Sequence, residues 1–169
     1  GQLPSPASQV RAYRFHRQIH GQRGVAQRIL HVDMQNDRIP PVFREPFDPG
    51  KIPVLFVHGA LGTPHGWKDI VDRLDPDRFQ PWFYYYPSGL PLDKNAAALN
   101  WMVAELYREL GFRKLHVVAH SMGGLVARDF ILKNAYESRL DVVRQFVSIS
   151  SPWNGHRLTA KGVRRAPEP

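Results

Sequence analysis

The residues best suited to chemistry lie in HVVAHSMGGLVAR, residues 116–128, where Ser121 stands among small residues between an apolar run and a helical pattern. A serine hydroxyl is a weak nucleophile at neutral pH, so it acts only where its geometry exposes it and a base takes its proton. Ala119-His120-Ser121-Met122-Gly123 fits G-x-S-x-G with alanine in place of the first glycine. That pattern sets the serine on a sharp strand-to-helix turn, with φ above zero and the residues two before and two after it close together. Alanine and glycine both meet the demand for small side chains there, and Gly124 lets the helix approach the strand.

The second group of chemical interest is VHGALG, with His58 to Gly62 following an apolar run. Acyl transfer develops negative charge on a carbonyl oxygen, and each backbone N–H aimed at that oxygen is worth about 100- to 1000-fold in rate. The amide of Met122, directly after the serine, is one expected donor. The amide of Ala60, after the His-Gly pair, is the other. His58 and Gly59 are expected to support this loop.

These two groups need a scaffold that brings them together. IPVLFVHG, from Ile52, is a continuous apolar run closed by glycine, as in a parallel strand buried on both faces. Trp67, Ile70, Val71 and Leu74 share one face of a helix expected over 66–74. FQPWFYYYP reads as a strand whose paired part begins near Trp82, because Pro81 cannot donate to a ladder. Over 92–110, Leu99, Met102, Val103, Leu106 and Leu110 recur at helical spacing, and Gly111 is placed as the C-terminal cap. KLHVVAH reads as a third strand, GGLVARDFILKN as a third helix and VVRQFVSIS as a fourth strand. The order βαβαβαβ implies a parallel sheet with right-handed crossovers. Ligands bind such sheets at the carboxyl ends of the strands, where Ser121 and the 58–62 loop both fall. Upstream, RAYRFHRQIH alternates and RILHVDMQ is a weaker strand, an antiparallel pair joined through GQRG.

With 169 residues the chain has the size of one domain and can bury a core. No apolar run approaches the roughly 18 to 20 residues that span a bilayer. The net charge of +8 is scattered along the chain, and its densest run is KGVRR at 161–165. No stretch alternates basic with aromatic residues, so nucleic-acid binding is not expected. The absence of cysteine excludes disulfides, thiolate zinc ligands and a thiol nucleophile. His16 and His20 have helical metal-ligand spacing but fall in a predicted strand with no carboxylate at hand, and neither a metal nor another cofactor is expected. The opening GQLPSPASQ fits a processed mature end and an expression scar equally.

With AHSMGG after one strand and VHG after another, residues from about 52 to 155 resemble α/β-hydrolases of the lipase and esterase type, especially bacterial lipase-like proteins. The resemblance implies an α/β fold with a mostly parallel sheet, in which the four strands are central strands three to six and the N-terminal hairpin is the antiparallel edge. It implies hydrolysis of a carboxylic ester, or less often a thioester or amide, by a Ser-His-acid triad without metal. Ser121 carries over as nucleophile, and Ala60 and Met122 carry over as oxyanion donors. FYYYPSG and SISSPWNG correspond to strand tips that line the acyl pocket, so Leu61, Tyr86, Leu90 and Trp153 are the expected substrate-pocket residues. Bacterial origin and export to the periplasm, cell envelope or medium rest on the resemblance alone.

In this fold the acid and the histidine follow the serine in the chain, after further strands. No residue here matches either, and SPWNGHRLTAKGVRRAPEP holds no further strand pattern. Three readings stay open. The chain is the N-terminal part of a longer protein whose C-terminal remainder carries the acid and the histidine, which is the preferred reading because the sheet edge must be covered. It is a minimal enzyme that recruits a local histidine, His156 foremost. Or it is a non-catalytic hydrolase-like binding domain. An acyltransferase of the same fold is chemically close, differing in what deacylates the enzyme. His120 should point away from Ser121, His116 should sit within a strand, and Asp129 and Asp141 read as surface charges. The expected division is a loose N-terminus over 1–10, a hydrolase core over 11–155, and a basic tail or the start of a lid over 156–169.

Overall fold

The structure, a computed structural model, describes residues 13–16, 29–32 and 47–155, the first two segments as backbone only. Its strands are β1 (Tyr13–His16), β2 (Ile29–Val32), β3 (Ile52–Val57), β4 (Phe79–Tyr84), β5 (Leu115–His120) and β6 (Val143–Ile149). Its helices are α1 (Lys68–Val71), α2 (Leu92–Leu110) and α3 (Met122–Leu132). A 3₁₀ turn over Pro64–Trp67 leads into α1, and a π-helical turn over Lys133–Glu137 continues α3.

β3 to β6 pair in parallel in the order β4-β3-β5-β6. Val57 at the end of β3 stands opposite Tyr84 of β4 on one side and Ala119 of β5 on the other. The three carboxyl ends therefore finish level, which sets the two sequence motifs side by side. Period-2 alternation divides the strand residues between two apolar layers. Leu55, Val57, Trp82, Tyr84, Val117 and Ala119 bury against α2 and α3 through Leu99, Val103, Val126 and Phe130. Val54, Phe56 and Phe83 face the opposite way, against Trp67. Each large side chain so buried contributes about 1.5 to 3 kcal/mol, so the α2–α3 layer carries most of the packing energy around the site.

The helix α2 has the expected ends. Gly111 takes φ +68 and donates its N–H to the Tyr107 carbonyl at 3.0 Å, closing the last turn as a left-handed cap. The remaining differences have local causes. β4 pairs from Phe79 rather than from Trp82, with Pro81 opposite Val54. It is an edge strand among the described residues, and an edge needs ladder donors on one side only. The helix expected over 66–74 is a 3₁₀ turn plus a single α-turn. Only Trp67 of its apolar face is fully buried and Ile70 stays exposed, so too little packing offsets the cost of nucleating a longer helix. The N-terminal strands pair antiparallel as expected, Tyr13 with Val32 and His16 with Ile29. Among the described residues they form a two-stranded sheet of their own and add no edge to the four-stranded one. No described helix is long and apolar enough to cross a membrane. His20, His156 and the segments 1–10 and 156–169 lie outside the described residues.

Candidate active site

Ser121 is the single residue between β5 and α3, and its backbone takes φ +53, ψ −125. A non-glycine residue pays about 1 to 3 kcal/mol for such a conformation, so the surroundings must hold it. They do so with two backbone bonds. The Ser121 N–H donates to the Ile149 carbonyl of β6 at 2.8 Å, and the Gly124 N–H donates to the Ser121 carbonyl at 3.0 Å. The Met122 amide opens α3 and has no acceptor within its own helix. Glycine at 123 answers a neighbouring strand: a Cβ there would overlap the carbonyl oxygens of Val57 and His58 at the end of β3.

The loop after β3 meets this turn directly. A Cβ added to Gly59 would lie 3.0 Å from Ser121 Cβ and 3.0 Å from His120 Nδ1. Gly59 is thus the contact between the two sequence motifs. Its carbonyl accepts from the Gly62 N–H at 3.0 Å and bonds His58 Nδ1 at 2.7 Å. Leu61 follows at φ +55, with its amide donated to Ser88 Oγ at 2.9 Å. Ala60, between these anchored residues, is exposed.

His58 is 3% exposed and has a defined tautomer. The Tyr86 N–H donates to His58 Nε2 at 3.1 Å, and a backbone amide has no other role, so the ring proton resides on Nδ1 and is donated to the Gly59 carbonyl. Burial holds the His58 pKa below the ordinary imidazole value, against the smaller opposing effect of that carbonyl. A neutral buried ring that is bonded at both nitrogens braces the loop and has no free nitrogen to serve Ser121.

Tyr86, expected in the substrate pocket, packs against the loop after β3. It is 2% exposed, its ring stacks on His58 at 4.3 Å and 13°, and its hydroxyl donates to the His58 carbonyl at 2.6 Å. Burial pushes its phenol well above the ordinary tyrosine range. In sequence, a phenol at a strand tip suits a substrate pocket and a buried carbonyl equally well. Leu61, Leu90 and Trp153 do stand on loops at this end of the sheet, with Leu61 93% exposed. Trp153 sets its ring edge-on to Phe146 of β6 at 6.3 Å. A largely apolar hollow of about 250 Å³ lies beside the strand-to-helix elbow at Ser121, walled by Gly59, Gly62, Trp67, Ile70, His120 and Ile149.

Among the described residues no hydrogen bond joins Ser121 Oγ to a histidine or a carboxylate. His116 lies within β5, and His65 is exposed on the turn before α1. His120 is exposed beside Gly59. Asp129 pairs with Lys133 at 3.5 Å and Asp141 with Arg144 at 3.7 Å, the surface charges that their sequence positions suggested. No group of three or more metal-ligating side chains occurs among the described residues.

The sequence model of the alpha/beta hydrolase fold family matches residues 52–167. The chain belongs to that family. Its hydrolase core is similar to solved structures of the Bacillus licheniformis lipase BlEst2. The mature form is 25% identical with a TM-score of 0.56, over 75% of this chain and 51% of the lipase. The propeptide form is 27% identical with a TM-score of 0.56, over 71% of this chain and 26% of that one. A Listeria innocua protein, the product of gene lin2722, shares the fold at 21% identity and a TM-score of 0.53, over 62% of this chain and 53% of its own. This chain therefore spans about half the length of the mature lipase that it is similar to. No curated protein sequence matches it.

Proposed function

We propose that this chain carries the nucleophile half of a serine hydrolase that cleaves carboxylic esters, lipids among them. The observation that carries the reading is the backbone of Ser121, held at φ +53 between β5 and α3 with Gly59 of the neighbouring loop packed against its Cβ. A strained serine at the carboxyl end of a central strand, beside a second strand tip with a free-standing amide, has the layout that acyl transfer requires. Ser121 Oγ attacks the ester carbonyl, and the amides of Ala60 and Met122 hold the oxygen that becomes negative. Collapse of that intermediate expels the alcohol and leaves an acyl-enzyme, which water then hydrolyses. Of the loop amides, Leu61 and Gly62 are already engaged, by Ser88 Oγ and by the Gly59 carbonyl, which supports Ala60 as the donor. The histidine that takes the serine proton and the acid that orients it come from the remainder of the protein. β6 supports such a partner, because its Gln145 and Val147 are exposed and it pairs only with β5 among the described residues. The similarity to a lipase structure supports an ester substrate.

The test is labelling of the full-length protein by a fluorophosphonate probe, with Ser121→Ala as control. Labelling that vanishes in the variant is expected. A folded protein that takes no label would instead be a binding module on a hydrolase fold. Release of the acyl group to an added alcohol in preference to water would identify an acyltransferase.

A further inference from the structure

The loop that supplies Ala60 is held from outside itself by a three-residue segment after β4, Tyr86-Pro87-Ser88. The adjacent strands β3 and β4 end level, and that alignment lets the two tips exchange three hydrogen bonds. Two of them, from the Tyr86 amide and hydroxyl, go to His58 at 3.1 and 2.6 Å. The third runs from the Leu61 N–H to Ser88 Oγ at 2.9 Å, across 27 residues of sequence.

The third bond has a specific geometric effect. In a trans peptide the C=O and the N–H point in opposite directions within one rigid plane. The plane between Gly59 and Ala60 is anchored through its carbonyl, which takes the His58 Nδ1 proton at 2.7 Å and the Gly62 N–H at 3.0 Å. The plane between Ala60 and Leu61 is anchored through its amide, which Ser88 holds. The Ala60 N–H lies in the first plane, and the Ser88 bond keeps the second from turning and carrying the Gly62 N–H off the Gly59 carbonyl that anchors the first. Leu61 is at φ +55, an uncommon conformation for a leucine, which needs a restraint to hold it. Ser88 is half-buried on a surface loop, outside the packed core, so its hydroxyl has little other structural work there.

We infer that Ser88 is a positioning residue for the oxyanion hole: its hydroxyl fixes the Leu61 amide and thereby aims the Ala60 amide at the substrate oxygen. The inference rests on the reading of Ser121 and Ala60 given above. A donor aimed wrongly affects the transition state more than the bound ester, because the negative charge exists only in the former.

The experiment compares Ser88→Ala and Ser88→Thr in the full-length protein, using p-nitrophenyl acetate turnover and the rate of fluorophosphonate labelling. Ser88→Ala is expected to lower kcat and the labelling rate by about 10- to 100-fold, with KM changed less than about twofold. Ser88→Thr keeps the hydroxyl and should retain most of both rates. Wild-type rates in Ser88→Ala would overturn the positioning role while leaving Ser121 as nucleophile intact. Equal loss in the Ala and Thr variants, or a melting temperature lowered by more than about 8 °C in Ser88→Ala, would assign Ser88 to folding and overturn it likewise. A wild-type protein that takes no label would sink the underlying reading and this inference together.

Discussion

The Ser151 side chain occupies the space that a Cβ on Gly124 would fill. A Cβ built on that glycine would lie 2.7 Å from Ser151 Cβ and would overlap Ser151 Oγ. The loop after β6 and the first turn of α3 therefore touch at Gly124, the second of two successive glycines and two residues beyond the start of the helix.

This contact predicts a non-additive pair. Gly124→Ala should destabilise the protein by about 1 to 3 kcal/mol through overpacking. Ser151→Ala should be neutral or slightly stabilising, because the Ser151 hydroxyl is buried with no hydrogen-bond partner among the described residues. Combining Gly124→Ala with Ser151→Gly should recover much of the loss, and urea unfolding midpoints of the wild type, Gly124→Ala, Ser151→Gly and the double variant measure the coupling. Strict additivity would show that the two residues do not meet.

Gly123 answers to a different neighbour, the end of β3. Gly123→Ala would press a methyl group against the Val57 and His58 carbonyls, which are backbone and cannot rotate aside. We expect a loss of about 2 kcal/mol or more by the same overpacking, together with slower labelling of Ser121 as the His58–Gly59 segment shifts. Gly66 supplies the control, since nothing lies near its absent Cβ. Gly66→Ala should be neutral or raise stability by roughly 0.4 to 1 kcal/mol, provided its turn conformation suits alanine.

Acid should destabilise the protein through buried His58 and half-buried His116. Burial lowers the His58 pKa, and burial together with the neighbouring Lys114 lowers that of His116. The unfolded chain takes up these protons as pH falls through about 6.5, while the folded chain resists them. The unfolded state then holds more protons, so the stability present above that pH is lost as pH falls through the folded values. Urea midpoints at pH 7.5 and 5.5 should show the decline, and His58→Gln should flatten it. A midpoint that rises on acidification would contradict the assignment.

Much of the scaffold is legible in the sequence because its signals are local. The α2 helix is read with both ends, since an apolar face at helical spacing and a terminal glycine that adopts φ +68 are properties of one continuous segment. β3 and β5 are equally plain as largely apolar runs between turns, and β6 as the strand that follows the third helix. The elbow is legible as well, because small residues at 119, 123 and 124 have almost no other reason to flank a serine between a strand and a helix. Less legible are features whose cause lies elsewhere. Among the described residues, Pro81 sits inside a paired strand because β4 is an edge, and α1 stops after one turn because little packs over Ile70; neither fact is contained in its own segment.

By itself the sequence determined the order of elements, the parallel sheet and the position of Ser121, all of which follow from hydrophobic period and turn chemistry along neighbouring residues. Only the tertiary structure decided what holds the loop beside Ser121. Tyr86 belongs to the core and Ser88 to the loop, and each reaches its partner 27 or 28 residues away because parallel pairing brings the tips of β3 and β4 level. Hydrogen bonds of that kind depend on strand register, and register is a relation between segments that no single segment encodes.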